Sequence, residues 1–145
     1  MLLRMKKRRV PPPEGLVVKR SSAGLGLFTT GPIKKGTRVI EYVGRFISRE
    51  EEYASRSKYL FEVGRHKTID GKPHENPAGY INHSCRPNCE PNVVKGRVFI
   101  RTIKNVRTGE ELTYDYGKEY FDEHIRPRGC RCAKCRTTAV KEPAG

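Results

Sequence analysis

Hydrophobic positions in this chain come in short bursts rather than long periodic runs. Leu16-Val17-Val18 is one burst and Leu27-Phe28 the next, with Ser21-Ser22-Ala23-Gly24-Leu25-Gly26 reading as a turn-rich loop between them. Thr37-Arg38-Val39-Ile40-Glu41-Tyr42-Val43 is β-branched and aromatic, which favours a strand. Ser48 followed three residues later by Glu51 has the form of a capping box and predicts a short helix to about Ser57. Strand character returns at Tyr59-Leu60-Phe61-Glu62-Val63, and residues 66–78 are mostly loop apart from Thr68-Ile69. Val93 to Ile100 predicts a hairpin turning at Lys95-Gly96. Thr108-Gly109 marks the turn before a strand from Glu111 to Tyr116, after which the apolar pattern fades. The sum is a mainly β domain with one or two short helices.

Composition sharpens this picture. A length of 145 residues suits one domain with a modest core. The formal net charge of +14 favours an anionic partner such as nucleic acid, nucleoprotein or an acidic protein surface. No run approaches the length of a membrane span, and the N-terminus lacks the apolar stretch of a signal peptide, so the chain is expected to act inside the cell. Lys6-Lys7-Arg8-Arg9 and Pro11-Pro12-Pro13 form a basic, extended arm over residues 1–14. Such an arm touches phosphates, serves as a nuclear address or is simply a solvated tail.

Five cysteines cannot all pair with one another. Cys130, Cys132 and Cys135 place three thiols within six residues, which in an intracellular chain reads as metal ligation. Zinc takes four tetrahedral ligands and suits thiolates, so one ligand must come from elsewhere: Cys85, Cys89 or His124. The tail from Arg126 onward has almost no large apolar residues, and a metal would supply the ordering that a core does not.

Three segments carry the chemistry: Tyr80-Ile81-Asn82-His83-Ser84-Cys85-Arg86-Pro87-Asn88, then Glu111-Leu112-Thr113-Tyr114-Asp115-Tyr116, then the cysteine trio. Together, and in this order from Gly24 to Cys135, they resemble SET-domain protein lysine methyltransferases. The resemblance implies a β-clip-like fold of short curled sheets with a knot-like C-terminal crossing. It divides the chain into an arm (1–14), a SET domain (15–120) and a zinc-binding tail (121–145).

The resemblance also implies roles. Gly24, Leu25 and Gly26 would meet S-adenosylmethionine through their backbone, with Lys19 or Arg20 facing its carboxylate. Asn82, His83 and Tyr59 would complete the cofactor site. Tyr116 would be the essential tyrosine, with Tyr114 and Tyr42 beside it along a lysine channel. Cys85 would join Cys130, Cys132 and Cys135 on zinc, leaving Cys89 as a small buried hydrophobe. A tyrosine at position 114 favours stopping at mono- or dimethylation.

Some positions depart from the family pattern. Arg45 stands where Glu is frequent, only Ala133 and Lys134 separate the last two cysteines, and Thr137 and Thr138 occupy a region that often holds an aromatic. Residues 1–23 contain no cysteine.

The implied reaction is methyl transfer to a neutral lysine amine. Free lysine has a pKa of about 10.4, and a dry aromatic channel beside a sulfonium lowers it. Orientation by hydroxyls then suffices, in keeping with the absence of a Ser-His-Asp arrangement. Histones or other nucleic-acid-packaging proteins are the expected substrates, in the nucleus or at a nucleoid. The competing reading is a zinc-stabilised basic module that binds nucleic acid or nucleoprotein without turnover.

Overall fold

The computed structural model describes residues 9–64, 67–130 and Cys132. Residues 1–8 of the basic arm, Cys135, Thr137 and Thr138 lie outside the described residues. The architecture is mainly β. Strands β1 (Leu16–Ser21) and β2 (Gly24–Thr29) form an antiparallel hairpin. Strands β3 (Arg38–Tyr42), β8 (Cys89–Val94) and β9 (Arg97–Thr102) form a sheet in the order β3-β9-β8. Strands β4 (Arg45–Ile47), β5 (Leu60–Gly64) and β6 (Lys67–Asp70) form another in the order β4-β6-β5. Finally β7 (Asn82–His83) and β10 (Thr113–Tyr114) pair in parallel, which is the crossing of the C-terminal segment against the Asn-His run.

Local sequence explains several boundaries. Along β9, Val98, Ile100 and Thr102 point inward while Arg97 and Arg101 face solvent, the period-two pattern of a half-buried strand. Lys95 and Gly96 turn the β8–β9 hairpin with φ of 50° and 77°, as the Lys-Gly pair predicts. Helix α1 (Arg49–Ala54) starts with the full capping box: the Ser48 side chain accepts from the Glu51 N–H, and the Glu51 carboxylate accepts from the Ser48 N–H. It ends three residues earlier than expected. Ser55 is extended, and Ser57 donates to Asp70 at 2.8 Å while accepting from the Tyr59 N–H, so serine side chains compete with the helix for backbone partners.

Two further expectations are corrected. The Ser21–Gly26 stretch is a turn only at Ser22 and Ala23; Gly24, Leu25 and Gly26 are paired in β2 with Ser21, Arg20 and Lys19. At Gly26 the carboxylate of Glu111 takes the space a side chain would fill. A Cβ would lie 2.3 Å from Glu111 Oε2. The strand expected over Glu111–Tyr116 is ladder-paired only at Thr113 and Tyr114, because the segment changes partner along its length. Glu111 bridges Phe28 and the Leu112 N–H donates to Leu27 O at 2.8 Å, before Thr113 and Tyr114 pair with β7.

The core joins these small sheets through Leu27, Ile40, Ile81, Val98, Ile100, Val106 and Leu112, with Tyr42 and Tyr114 at its edge. Cys89 is 1% exposed in this cluster, and burial pushes its thiol up to about 12, so it packs as a hydrophobe. Beyond Gly117, helical turns over Lys118–Tyr120 (α2), Phe121–Ile125 and Arg126–Arg128 carry the chain toward Cys130.

Candidate active site

Two cavities meet at the β7–β10 crossing. The larger, about 420 Å³, is bounded by Leu25, Tyr59, Asn82, His83, Tyr116 and Tyr120, among others. The smaller, about 60 Å³, is walled by Tyr42, Phe61, Tyr114 and Tyr116. Lys58, Tyr59, Gly79, Tyr116 and Tyr120 border both, so the two spaces adjoin along one aromatic edge. The first has the size and mixed lining of a small-molecule site. The second admits only the tip of an unbranched side chain.

The aromatic wall is tightly ordered. Tyr116 packs at 4.9 Å between ring centres against both Tyr114 and Tyr120, and Tyr42 packs at 5.4 Å against Phe61. The Tyr116 hydroxyl donates to the Ile81 carbonyl, and the Tyr42 hydroxyl donates to the Tyr59 carbonyl at 2.7 Å. Burial, then the neighbouring phenols, raises the pKa values of Tyr42, Tyr114 and Tyr116 above the ordinary tyrosine value. These groups therefore remain neutral hydroxyls in any physiological buffer. They orient and accept hydrogen bonds but do not serve as phenolate bases.

Behind the wall, side chains fasten the crossing. Asn82 Nδ2 lies within hydrogen-bond distance of Ser21 Oγ, Leu25 O and Glu111 Oε2, at 3.0, 2.9 and 2.7 Å. It ties β7 to both the hairpin and the C-terminal segment. His83 Nδ1 accepts the Tyr116 N–H at 3.1 Å. Asn88 donates to Glu111 O at 2.8 Å and accepts the Thr113 N–H at 2.9 Å, clamping the segment that carries Tyr114 and Tyr116.

The predicted residues are distributed unevenly. Leu25, Tyr59, Asn82, His83 and Tyr116 border the larger cavity; Tyr42, Tyr59, Tyr114 and Tyr116 border the smaller. Gly24 and Gly26 border neither, and Lys19 and Arg20 are exposed away from both. Among the described residues, Lys58 is the cation at the cavity edge. Sequence reasoning missed Lys58 and Tyr120, which lie outside the motifs. It also missed Asn76, fully buried, which accepts the Val43 N–H at 3.0 Å and donates to Gly71 O at 3.0 Å. Gly71 itself packs on the Tyr42 ring so closely that a Cβ would lie 2.4 Å from Cε1. A glycine next to an Asp, between strand-like and polar residues, was the available signal.

At the other side of His83 lies a thiol corner. Cys85 Sγ and Cys130 Sγ are 3.9 Å apart, and His83 Nε2 is 3.4 Å from Cys85 Sγ. The three donor atoms lie within 4.8 Å of one another. Two thiolates on one tetrahedral zinc, each at about 2.3 Å, stand roughly 3.8 Å apart, so the sulfur pair fits this metal. His83 does not suit it. A neutral imidazole that coordinates through Nε2 carries its proton on Nδ1, but here Nδ1 is the acceptor for the Tyr116 N–H. The ring proton therefore sits on Nε2, toward Cys85. Cys132 is buried two residues beyond Cys130.

Comparison with known proteins agrees with this architecture. The model of the SET domain family matches residues 24–117. This chain belongs to the SET domain family. It is 37% identical over 126 residues to human histone-lysine N-methyltransferase 2D, covering 78% of this chain and 2% of that protein. It is 36% identical over 126 residues to histone-lysine N-methyltransferase trr of Drosophila melanogaster, covering 78% of this chain and 5% of that protein. It is 38% identical over 125 residues to histone-lysine N-methyltransferase trithorax of Drosophila virilis, covering 78% of this chain and 3% of that protein. The chain thus spans only a few per cent of the length of these curated relatives. Among the described residues, no helix is long and apolar enough to cross a membrane.

Proposed function

We propose that the protein is a lysine N-methyltransferase that uses S-adenosylmethionine and acts on histone or similar nucleic-acid-packaging tails, in the nucleus or at a nucleoid. The observation that carries this reading is the pair of adjoining cavities, one sized for a cofactor and one for a side-chain tip, with Tyr59, Tyr116 and Tyr120 on the shared edge. The family match and the names of the relatives support the reaction class and the substrate.

Leu25, Tyr59, Asn82 and His83 would hold the cofactor, whose chemistry is donation of an electrophilic methyl group. The dry wall of Tyr42, Phe61, Tyr114 and Tyr116 disfavours an ammonium and so lowers the pKa of an entering lysine. Tyr116, whose hydroxyl proton is committed to Ile81 O, presents its oxygen lone pair to the amine N–H and points the nitrogen. Tyr42, held by Tyr59 O, fixes the channel wall. No ionised base is needed, since the proton leaves to water before transfer. Tyr114 narrows the channel so that the product is mono- or dimethyllysine. Cys85, Cys130, Cys132 and Cys135 would hold a structural zinc that pins the tail; three of these four lie within the described residues.

The test is transfer of labelled methyl to histones and bacterial nucleoid proteins, with mass-spectrometric mapping. Tyr116→Phe should cut turnover by about 100-fold or more while cofactor binding survives, because only orientation in the transition state is lost. Nucleic-acid binding without cofactor binding would favour the inactive module instead. Tyr114→Phe should shift the product toward higher methylation states; an unchanged product distribution would remove Tyr114 from that role.

A further inference from the structure

Away from both cavities, residues 32–38 and 101–108 run side by side. Ile33 and Val106 exchange backbone hydrogen bonds at 2.9 and 2.8 Å. The Gly36 N–H donates to Thr102 O at 2.8 Å, Thr102 Oγ1 donates to Lys34 O at 2.7 Å, and the Lys35 N–H donates to Asn105 Oδ1 at 2.9 Å. The two segments are therefore fixed to one another. They contain Lys34, Lys35, Arg38, Arg101, Lys104 and Arg107, and not one acidic residue. All six cations are exposed.

Two of the six are already engaged. Arg101 pairs with Glu90 at 2.9 Å, and Arg38 stacks 3.9 Å from the centre of the Phe99 ring. Lys34, Lys35, Lys104 and Arg107 have no acidic partner among the described residues. Between Lys34 and Lys35 on one side and Asn105 and Arg107 on the other is an open depression of about 950 Å³. Like charges at this density repel one another and favour a counter-charge of matching density.

We propose that this face binds the phosphate backbone of duplex DNA without reading base sequence. A duplex supplies about one negative charge per 1.7 Å of axis on a stiff rod, a fit for cations held on fixed backbone. A bilayer is the weaker match. Among the described residues, the exposed large apolar side chains are Val10, Leu25, Val43, Phe46, Tyr53, Val93 and Val94, and none of these lies on this face to enter the acyl region. Docking of this kind also removes a difficulty in the proposed activity. A strongly cationic protein repels a free basic tail, but tail and protein can share one polyanion. The DNA contact stands on its own observations and does not rest on methyl transfer.

The experiment is fluorescence anisotropy of a labelled duplex of arbitrary sequence with the whole chain, titrated at several salt concentrations. The combined variant Lys34→Ala, Lys35→Ala, Lys104→Ala and Arg107→Ala should bind at least about tenfold more weakly at low salt and reduce the slope of log K against log salt by roughly 3 to 4. An unchanged slope overturns the proposal. So does loss of the whole slope when Lys6, Lys7, Arg8 and Arg9 are replaced instead, or wild-type protein that pellets with phosphatidylserine vesicles but ignores the duplex. Glutamines at the same four positions repeat the test should alanines disturb folding, which circular dichroism reports. Methylation of a free tail peptide, measured on the same proteins, should be retained or rise with the four substitutions, since fewer cations repel the tail. Silence of the wild type in that assay defeats the methyltransferase reading and leaves the DNA result standing.

Discussion

The β3-β9-β8 sheet and the β7–β10 pair are built on opposite plans. The sheet rests on six consecutive residue pairs between β8 and β9 and on an inward row of Val98, Ile100 and Thr102. The crossing has two residue pairs. What the short ladder lacks is supplied by side chains: Asn88 on both Glu111 and Thr113, Asn82 on Leu25 and Glu111, His83 on Tyr116. The sheet is thus stabilised by area, which is tolerant of detail, and the crossing by single polar contacts, which are not. A motif that resembles a ligand-binding run is also a set of fasteners.

Paired substitutions put that contrast to the test. Ile100→Ala should lower stability by about 2–5 kcal/mol through a cavity in the sheet, with turnover per folded molecule nearly unchanged. Asn88→Ala should cost about 1–3 kcal/mol by leaving a part-buried carbonyl and N–H without their partner, yet slow turnover on the order of 10–100-fold because the segment bearing Tyr114 and Tyr116 drifts. Thermal melts and turnover on the same preparations read both quantities, and equal losses of turnover would erase the distinction.

The smaller effect is with pH. Tyr42 and Tyr114 ionise with a raised pKa in the folded protein, against an ordinary value of 10.0. Below that value the phenols are neutral in both states and impose no pH dependence. As pH rises beyond it, the unfolded chain releases protons that the folded chain keeps, so stability falls. The sheet rim behaves oppositely. The hydrogen bond from Arg97 holds the Glu41 pKa below its usual value of 4.5, so the rim loses its small contribution as pH falls through the lowered value. Melting temperatures across alkaline and acidic buffers check both limbs. Tyr42→Phe with Tyr114→Phe should lessen the alkaline fall, with Tyr116 keeping its share, and leave the acidic limb unchanged.

Features governed by near neighbours were legible in the sequence. The Lys95-Gly96 turn needed positive φ, and the Ser48 capping box needed only residues three apart. Tyr116, Tyr114, His83 and Asn82 were legible because their motifs carry the family resemblance, and the structure brings all four to one crossing. What escaped depends on distant contacts. The Asn88 clamp spans 23 and 25 residues, and Asn76 reaches Val43 across 33. Gly26 read as a turn because nothing local reveals that Glu111 fills the space where its side chain would be. Lys58 and Tyr120 come to the cavities only through the way β5 and the last helical turns are folded over them.

His83 links two compartments of unlike chemistry. One edge of its ring holds the backbone of Tyr116 and the other faces the sulfur of Cys85. Tilting the imidazole after a departing thiol means releasing the N–H of the residue that would aim the substrate. A disturbance at the sulfur corner is therefore felt as misalignment in the tyrosine channel, through a single ring acting as a hinge pin.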